Sequence, residues 1–217
     1  MALTKVRGGG VDNPLTLGGG AASDRSIIFD GNAQDFHIGL DDSADKLTIG
    51  LGSTLGTTAH MTFDSTGTIL KPLQPCFFAK KNSDTANVAV NSAVAVVFDS
   101  EIFDQNADFD TSNGTFTAPI TGRYYLSASM YVGSRPNNAN YCLMEIVCSN
   151  RNHMDIFRSQ AGDEEWLYHS FKMATLMDMD AGDTAKVNFY MPNGTQSVDI
   201  TGNSNHSHTS FSGFLAC

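Results

Sequence analysis

The chain has 217 residues and a formal net charge of −10, from 13 Lys and Arg against 23 Asp and Glu. Its bases form no run or patch, which argues against a nucleic-acid partner, and an anionic membrane surface would repel it. No apolar run approaches the roughly 20 residues that span a bilayer, so no membrane insertion is expected.

Residues 1–24 carry Gly8-Gly9-Gly10 and Gly18-Gly19-Gly20 around Pro14. Such a stretch builds no core of its own. It reads as a flexible tail, or as an anchor arm that orders against another protein. The first ten residues lack the apolar core of a secretory leader, so synthesis in a cytoplasm is the expectation.

Residues 25–72 alternate with a strand period. Ile38 and Leu40 share a face, as do Leu47, Ile49 and Leu51, then Met61 and Phe63. Turn clusters separate them at Asp30-Gly31-Asn32, Asp41-Asp42-Ser43, Gly52-Ser53 and Asp64-Ser65-Thr66-Gly67. Each strand has one apolar stripe, and a segment this short cannot cover its own stripes. Packing identical stripes from three chains around an axis predicts a trimeric β-shaft; docking of the strands on the following domain is the alternative. Gly50-x-Gly52-x-x-x-Gly56 lies in this strand-turn rhythm with no helix after it, so a dinucleotide reading is rejected.

Residues 73–217 read as an all-β sandwich. Strands are expected at Cys76–Ala79, Val94–Ser100, Gly114–Ala118, Tyr124–Val132, Tyr141–Cys148, Met154–Phe157, Trp166–Leu176, Ala185–Met191 and His206–Leu215. The terminal Phe211-Ser-Gly-Phe-Leu would expose too much apolar surface as a loose tail. A last strand in the middle of a sheet points to a jelly roll. Tyr141–Cys148 is apolar on both faces, and a two-layer sandwich covers only one, so the other is expected to meet another subunit. Cys76, Cys142, Cys148 and Cys217 fit no metal spacing and read as reduced, mostly buried thiols.

Asn113-Gly114-x-Phe116-x-x-Pro119-x-x-Gly122-x-Tyr124, then Leu176 with Gly182-Asp183 and Val187, then Phe211-Ser212-Gly213-Phe214-Leu215 together resemble the globular-head domain of complement component 1q, within the tumour necrosis factor-like superfamily. The resemblance implies a jelly roll of about ten strands, assembled as a homotrimer that binds ligands through its outer loops or apex. Ser26–Gly50 is similar to repeats in tail-fibre and other virion proteins of bacteriophages, especially marine ones. Together the two imply a bacteriophage virion structural protein, made in the host cytoplasm. It would be a short trimeric fibre, spike or appendage, held by residues 1–24 to another virion protein. Its head would bind a host-surface glycan or protein during adsorption. A trimeric capsid decoration protein is the alternative, and a secreted binding module a more distant one.

The candidate site residues follow from residue chemistry. No motif requires a cofactor, and no nucleophile or paired-carboxylate arrangement suggests an enzyme. His206 and His208 project to one face of a strand; three copies on an axis would offer six imidazoles to a transition metal, and solvated or interface histidines are the other reading. Asp104, Asp108 and Asp110 could surround calcium, as some relatives of the head family bind it near the apex, or could form a solvated acidic loop. Asp163-Glu164-Glu165 reads as solvated. Trp166 and Tyr168 could stack on a sugar or pack in the core. Arg135, with Arg123, Arg151 and Arg158, could meet an anionic ligand.

Overall fold

A computed structural model of the chain describes residues 16–136, 138–158, 166–194 and 198–217, with the side chains of 166 and 167 left aside. Most of the anchor-arm region and the acidic run Asp163-Glu164-Glu165 lie outside the described residues. The chain divides into two compact units at Leu73/Gln74.

The first unit is one antiparallel meander of β1 (Arg25–Phe29), β2 (Phe36–Asp41), β3 (Lys46–Leu51), β4 (Ala59–Phe63) and β5 (Ile69–Leu70), paired in chain order. Its turns use local carboxylates. Asp41 accepts from the Ser43 hydroxyl and the Ala44 amide, and Asp64 accepts from the amides of Thr66 and Thr68. Aspartate closes such turns because its short side chain reaches backbone two to four residues on.

The second unit is a two-sheet sandwich with no helix among its described residues. Its strands are β6 (Cys76–Lys80), β7 (Val94–Ala95), β8 (Ser100–Asp104), β9 (Phe109–Asp110), β10 (Thr115–Thr117), β11 (Gly122–Arg135), β12 (Tyr141–Cys148), β13 (Asn152–Arg158), β14 (Trp166–Met179), β15 (Thr184–Tyr190), β16 (Asp199–Ile200) and β17 (Ser210–Leu215). One sheet runs β14-β11-β17-β6-β8, with β16 on β11; the other runs β13-β12-β15-β10-β9, with β7 on β15. The terminal strand β17 therefore lies between β11 and β6, as the apolar ending required.

The core explains why the motifs are where they are. Phe77 stacks on Phe109 and Phe116, with ring centres 5.0 and 4.7 Å apart, and meets Phe211 edge-on at 5.1 Å. The Asn-Gly motif and the terminal motif thus converge on one ring from β6. Gly114 has φ +72°, and a Cβ there would lie 2.6 Å from the Val96 carbonyl oxygen, so only glycine fits. Tyr124 is fully buried and donates its hydroxyl to the Ile120 carbonyl at 2.7 Å, bridging the break at Pro119. The Gly182-Asp183 turn bonds to Ala118 in both directions.

Two strand expectations are corrected. Val94–Ser100 is not one strand: Val94 and Ala95 pair with β15, whereas Ser100 begins β8 and pairs with β6. Val96 still donates its amide to the Val187 carbonyl, and the chain then crosses between sheets over 97–99 with Phe98 pointing into the core, so alternation persists where pairing stops. The last strand starts at Ser210 and not at His206, because Asn203 folds the preceding residues into a turn by accepting from the amides of Asn205 and His206.

All four cysteines are free thiols. Cys142 and Cys148 are buried, Cys76 is half-buried and Cys217 is exposed, so "mostly buried" describes only two of them fully. Burial pushes the Cys142 thiol up to about 12, which makes it an inert core residue.

Candidate functional site

The two faces of the β11 sheet differ. Tyr124, Leu126, Ala128 and Met130 point into the core and Tyr125, Ser127, Ser129 and Tyr131 point out. Pairing sets Tyr125 between Leu176 on β14 and Phe214 on β17. Tyr125 and Phe214 rings lie 5.3 Å apart, and Tyr125, Leu176 and Phe214 are 37%, 61% and 45% exposed. Phe78 and Phe103, on β6 and β8, add a further ring pair at 6.0 Å. Large apolar side chains clustered on a paired, regular sheet face mark an interaction surface rather than scattered surface residues.

Toward the far end of β11 the same face changes character. Ser127, Ser129, Ser210 and Ser212 form a band of small polar side chains. Beyond them Tyr168 stacks on Tyr131 at 5.4 Å and 5°, Tyr131 stacks on His208 at 5.0 Å, and His208 lies 5.3 Å from His206. Four rings from three separate segments make one row. Lys80, only 7% exposed, supports the histidine loop from below by donating to the carbonyls of Ser204 at 2.6 Å and Asn203 at 3.3 Å.

His206 and His208 are thus brought together, at a spacing a chelating pair can use. A ligating ring nitrogen sits about 2.1 Å from its metal, which places the centres of two such rings about 5 Å apart. Among the described residues, no group of three or more metal-ligating side chains forms within one chain. Tyr168 is 58% exposed within the ring row; the Trp166 side chain lies outside the described residues.

Arg135 is corrected as a ligand contact. It is 2% exposed, and its guanidinium donates to the Ala139 carbonyl at 3.0 Å, closing the loop after β11. Arg123 and Arg151 instead line a shallow groove of about 410 Å³ with Leu176, Met177 and Asp178. The Arg151–Asp178 ion pair there is more than half exposed on both sides and contributes little.

The three aspartates do not form one cluster. The Asp110 carboxylate is taken up by the Ser112 amide and hydroxyl and by the Asn113 side chain, which fix the turn before Gly114. Asp104 accepts from the Phe109 amide at 2.7 Å, while its Oδ1 and the Oδ2 of Asp108 are buried without a hydrogen-bond partner. Burial, then the neighbouring Asp104 charge, raises the Asp108 carboxyl above its ordinary value. The folded head holds that proton more tightly than the unfolded chain does. Its contribution therefore favours folding below the ordinary carboxylate range and is lost as pH rises through the raised value. Asp108→Asn is expected to raise the thermal midpoint at about pH 7, with the gain shrinking near pH 4. Melting curves of both proteins at the two pH values check this; a gain equal at both would remove ionisation as its cause.

Residues 76–216 match the family model of the C1q domain. The chain belongs to the C1q-domain family. The C1q domain thus covers the sandwich unit, from β6 to the end of β17. Solved structures with a similar fold include the globular domain of zebrafish complement 1qA, at 15% identity and TM-score 0.49, covering 66% of this chain and 98% of that one. Murine APRIL is similar at 14% identity and TM-score 0.43, covering 65% and 98%. The Eiger tumour necrosis factor of S. frugiperda follows at 9% identity and TM-score 0.46, covering 66% and 94%. No curated protein matches the sequence. C1q domains are typically trimeric binding modules.

Proposed function

We propose that this chain is a homotrimeric binding module, and that it serves as a bacteriophage virion structural protein whose head binds a host-surface ligand during adsorption. The observation that carries the trimer is the uncovered Tyr125–Phe214–Leu176 face in a domain whose family forms homotrimers. Three copies of that face close around an axis and leave the opposite sheet and the loops outward, free for a glycan or protein ligand; that sheet includes β12, so in this arrangement the half-buried second face of Tyr141–Cys148 is not the subunit contact expected from its sequence. Three copies of His206 and His208 gather six imidazoles, a set suited to iron, zinc or nickel.

The virion role is supported by the resemblance of Ser26–Gly50 to virion repeats. A short fibre or spike and a trimeric capsid decoration share this organisation; the ring row Tyr168-Tyr131-His208-His206 is equally compatible with both. The test is made on particles. Mass spectrometry of purified virions is expected to find the chain, and deletion of residues 1–24 to remove it from particles while the truncated protein remains a soluble trimer. Normal incorporation without residues 1–24 would eliminate the anchor. A chain absent from particles would eliminate the virion role and leave a free binding module.

A further inference from the structure

The five-stranded sheet of the first unit is inside out. Pairing puts Phe36 opposite Leu51, Ile38 opposite Ile49, and Leu47 opposite both Leu40 and Phe63, so one face is apolar across the sheet. That face is the uncovered one. Phe29 is 60% exposed, Phe36 44% and Leu47 42%. Over β2–β4 the other face carries His37, Gly39, Thr48, Gly50 and Thr62, and there it is buried: His37, Thr48 and Thr62 are 1%, 2% and 7% exposed, while Ile28 and Leu70, on the same face of the outer strands, are 45% and 50% exposed.

The glycines show how. A Cβ on Gly39 would lie 2.8 Å from the Cβ of Ser26 across the pair, where ordinary neighbours stand about 5 Å apart. A Cβ on Gly50 would lie 2.3 Å from the Thr58 carbonyl oxygen and 2.7 Å from the His37 ring. The sheet curls around its glycine face, and His37 closes the curl by bonding Nδ1 to the Gly52 carbonyl at 2.8 Å. Curling one face shut turns the apolar face outward. A lone chain has no use for such a face, since monomers seldom expose a contiguous apolar patch beyond a few hundred Å².

We infer that this apolar face is covered by the same face of the other two copies, forming a second three-fold interface that closes only while the heads hold the chains together. The inference rests on the trimeric reading of the head. Continuity and charge argue for a second copy as the occupant. Only five residues, 71–75, separate β5 from β6. At about 3.5 Å per residue this tether is short, so a head trimer holds three sheets at an effective concentration in the millimolar range. Asp41 and Lys46 pair on the glycine face, and the apolar face carries a single charge, Arg25, at the outer strand. Three copies can therefore meet without burying like charges.

The experiment uses the full chain. Ile49→Cys in a Cys217→Ser background is expected to form covalent dimers on mild oxidation, at a rate independent of protein concentration. Thr48→Cys, on the curled face, and the Cys217→Ser parent should not. Leu47→Lys is expected to leave the trimer mass unchanged and to lower amide-exchange protection over residues 36–63 at least tenfold. A trimer in which Ile49→Cys fails to cross-link and Leu47→Lys changes no protection overturns the second interface alone. A wild-type chain that is monomeric overturns the head reading and this inference with it.

Discussion

Phe77→Ala is expected to lower the unfolding free energy of the head by about 3–5 kcal/mol. Phe77 is 1% exposed and touches three other rings: Phe109, Phe116 and Phe211. Truncation removes the transfer energy of a phenyl group and three ring contacts, each worth about 0.5–1.5 kcal/mol beyond area, and it leaves a cavity between two sheets that are hydrogen-bonded in place. A domain of this size has only about 5–15 kcal/mol in total, so the variant should sit near its folding threshold. Phe77→Leu keeps most of the volume and is expected to lose much less. Urea unfolding followed by circular dichroism checks both, with the transition of the first unit fitted separately because the two units need not unfold together. A loss below about 1 kcal/mol for Phe77→Ala would mean that the motifs are joined elsewhere.

The parts of the fold legible in the sequence are those fixed by local constraint. Gly114 is required by its φ and by the Val96 carbonyl, and the terminal Phe211 and Gly213 by their central place in a sheet; a Cβ on Gly213 would meet Leu126 and Phe77 within 2.8 Å. Alternation over 36–63 foretold which residues share a face, because the strand period alone decides it. It did not foretell which face would be closed, since that depends on curling at Gly39 and Gly50. Strand β8 was hidden because Ile102 and Phe103 are both about half exposed, so its apolar residues do not alternate with polar ones. The crossing at 97–99 was hidden for the opposite reason, an inward alternation that continues past the last paired residue, Val96.

The candidate site was legible only in pieces. His206-x-His208 is a local spacing and could be read. Tyr131 and Tyr168 come from strands 37 positions apart, and nothing nearby marks them as neighbours of those histidines. Arg135 misled because a buried arginine that donates to backbone carbonyls looks, in sequence, like any exposed one. Tyr125 had a usable signal: of the adjacent pair Tyr124-Tyr125, strand alternation must turn one ring outward, and a half-exposed tyrosine beside Phe214 is where a partner belongs.

The second large effect is therefore expected at Tyr125. Tyr125→Asp should convert the trimer, at three times 23.3 kDa by light scattering, into a folded monomer of 23.3 kDa. Covering a side chain of this size contributes about 2 kcal/mol per copy, so three copies lose about 6 kcal/mol, and three carboxylates brought to one axis repel one another. At 1.4 kcal/mol per decade the trimer weakens by a factor of about 10⁴ or more. The variant should keep its circular dichroism spectrum, because Tyr125 points away from the core formed by Tyr124 and Leu126. Tyr125→Phe keeps the ring pair with Phe214 and is expected to stay trimeric. A chelator separates the two ends of the face: dissociation of the wild-type trimer by chelator alone would move the main hold to a metal at His206 and His208, whereas indifference to chelator leaves it with the aromatic cluster. A Tyr125→Asp protein that remains a trimer without metal would show that this face is not the axis.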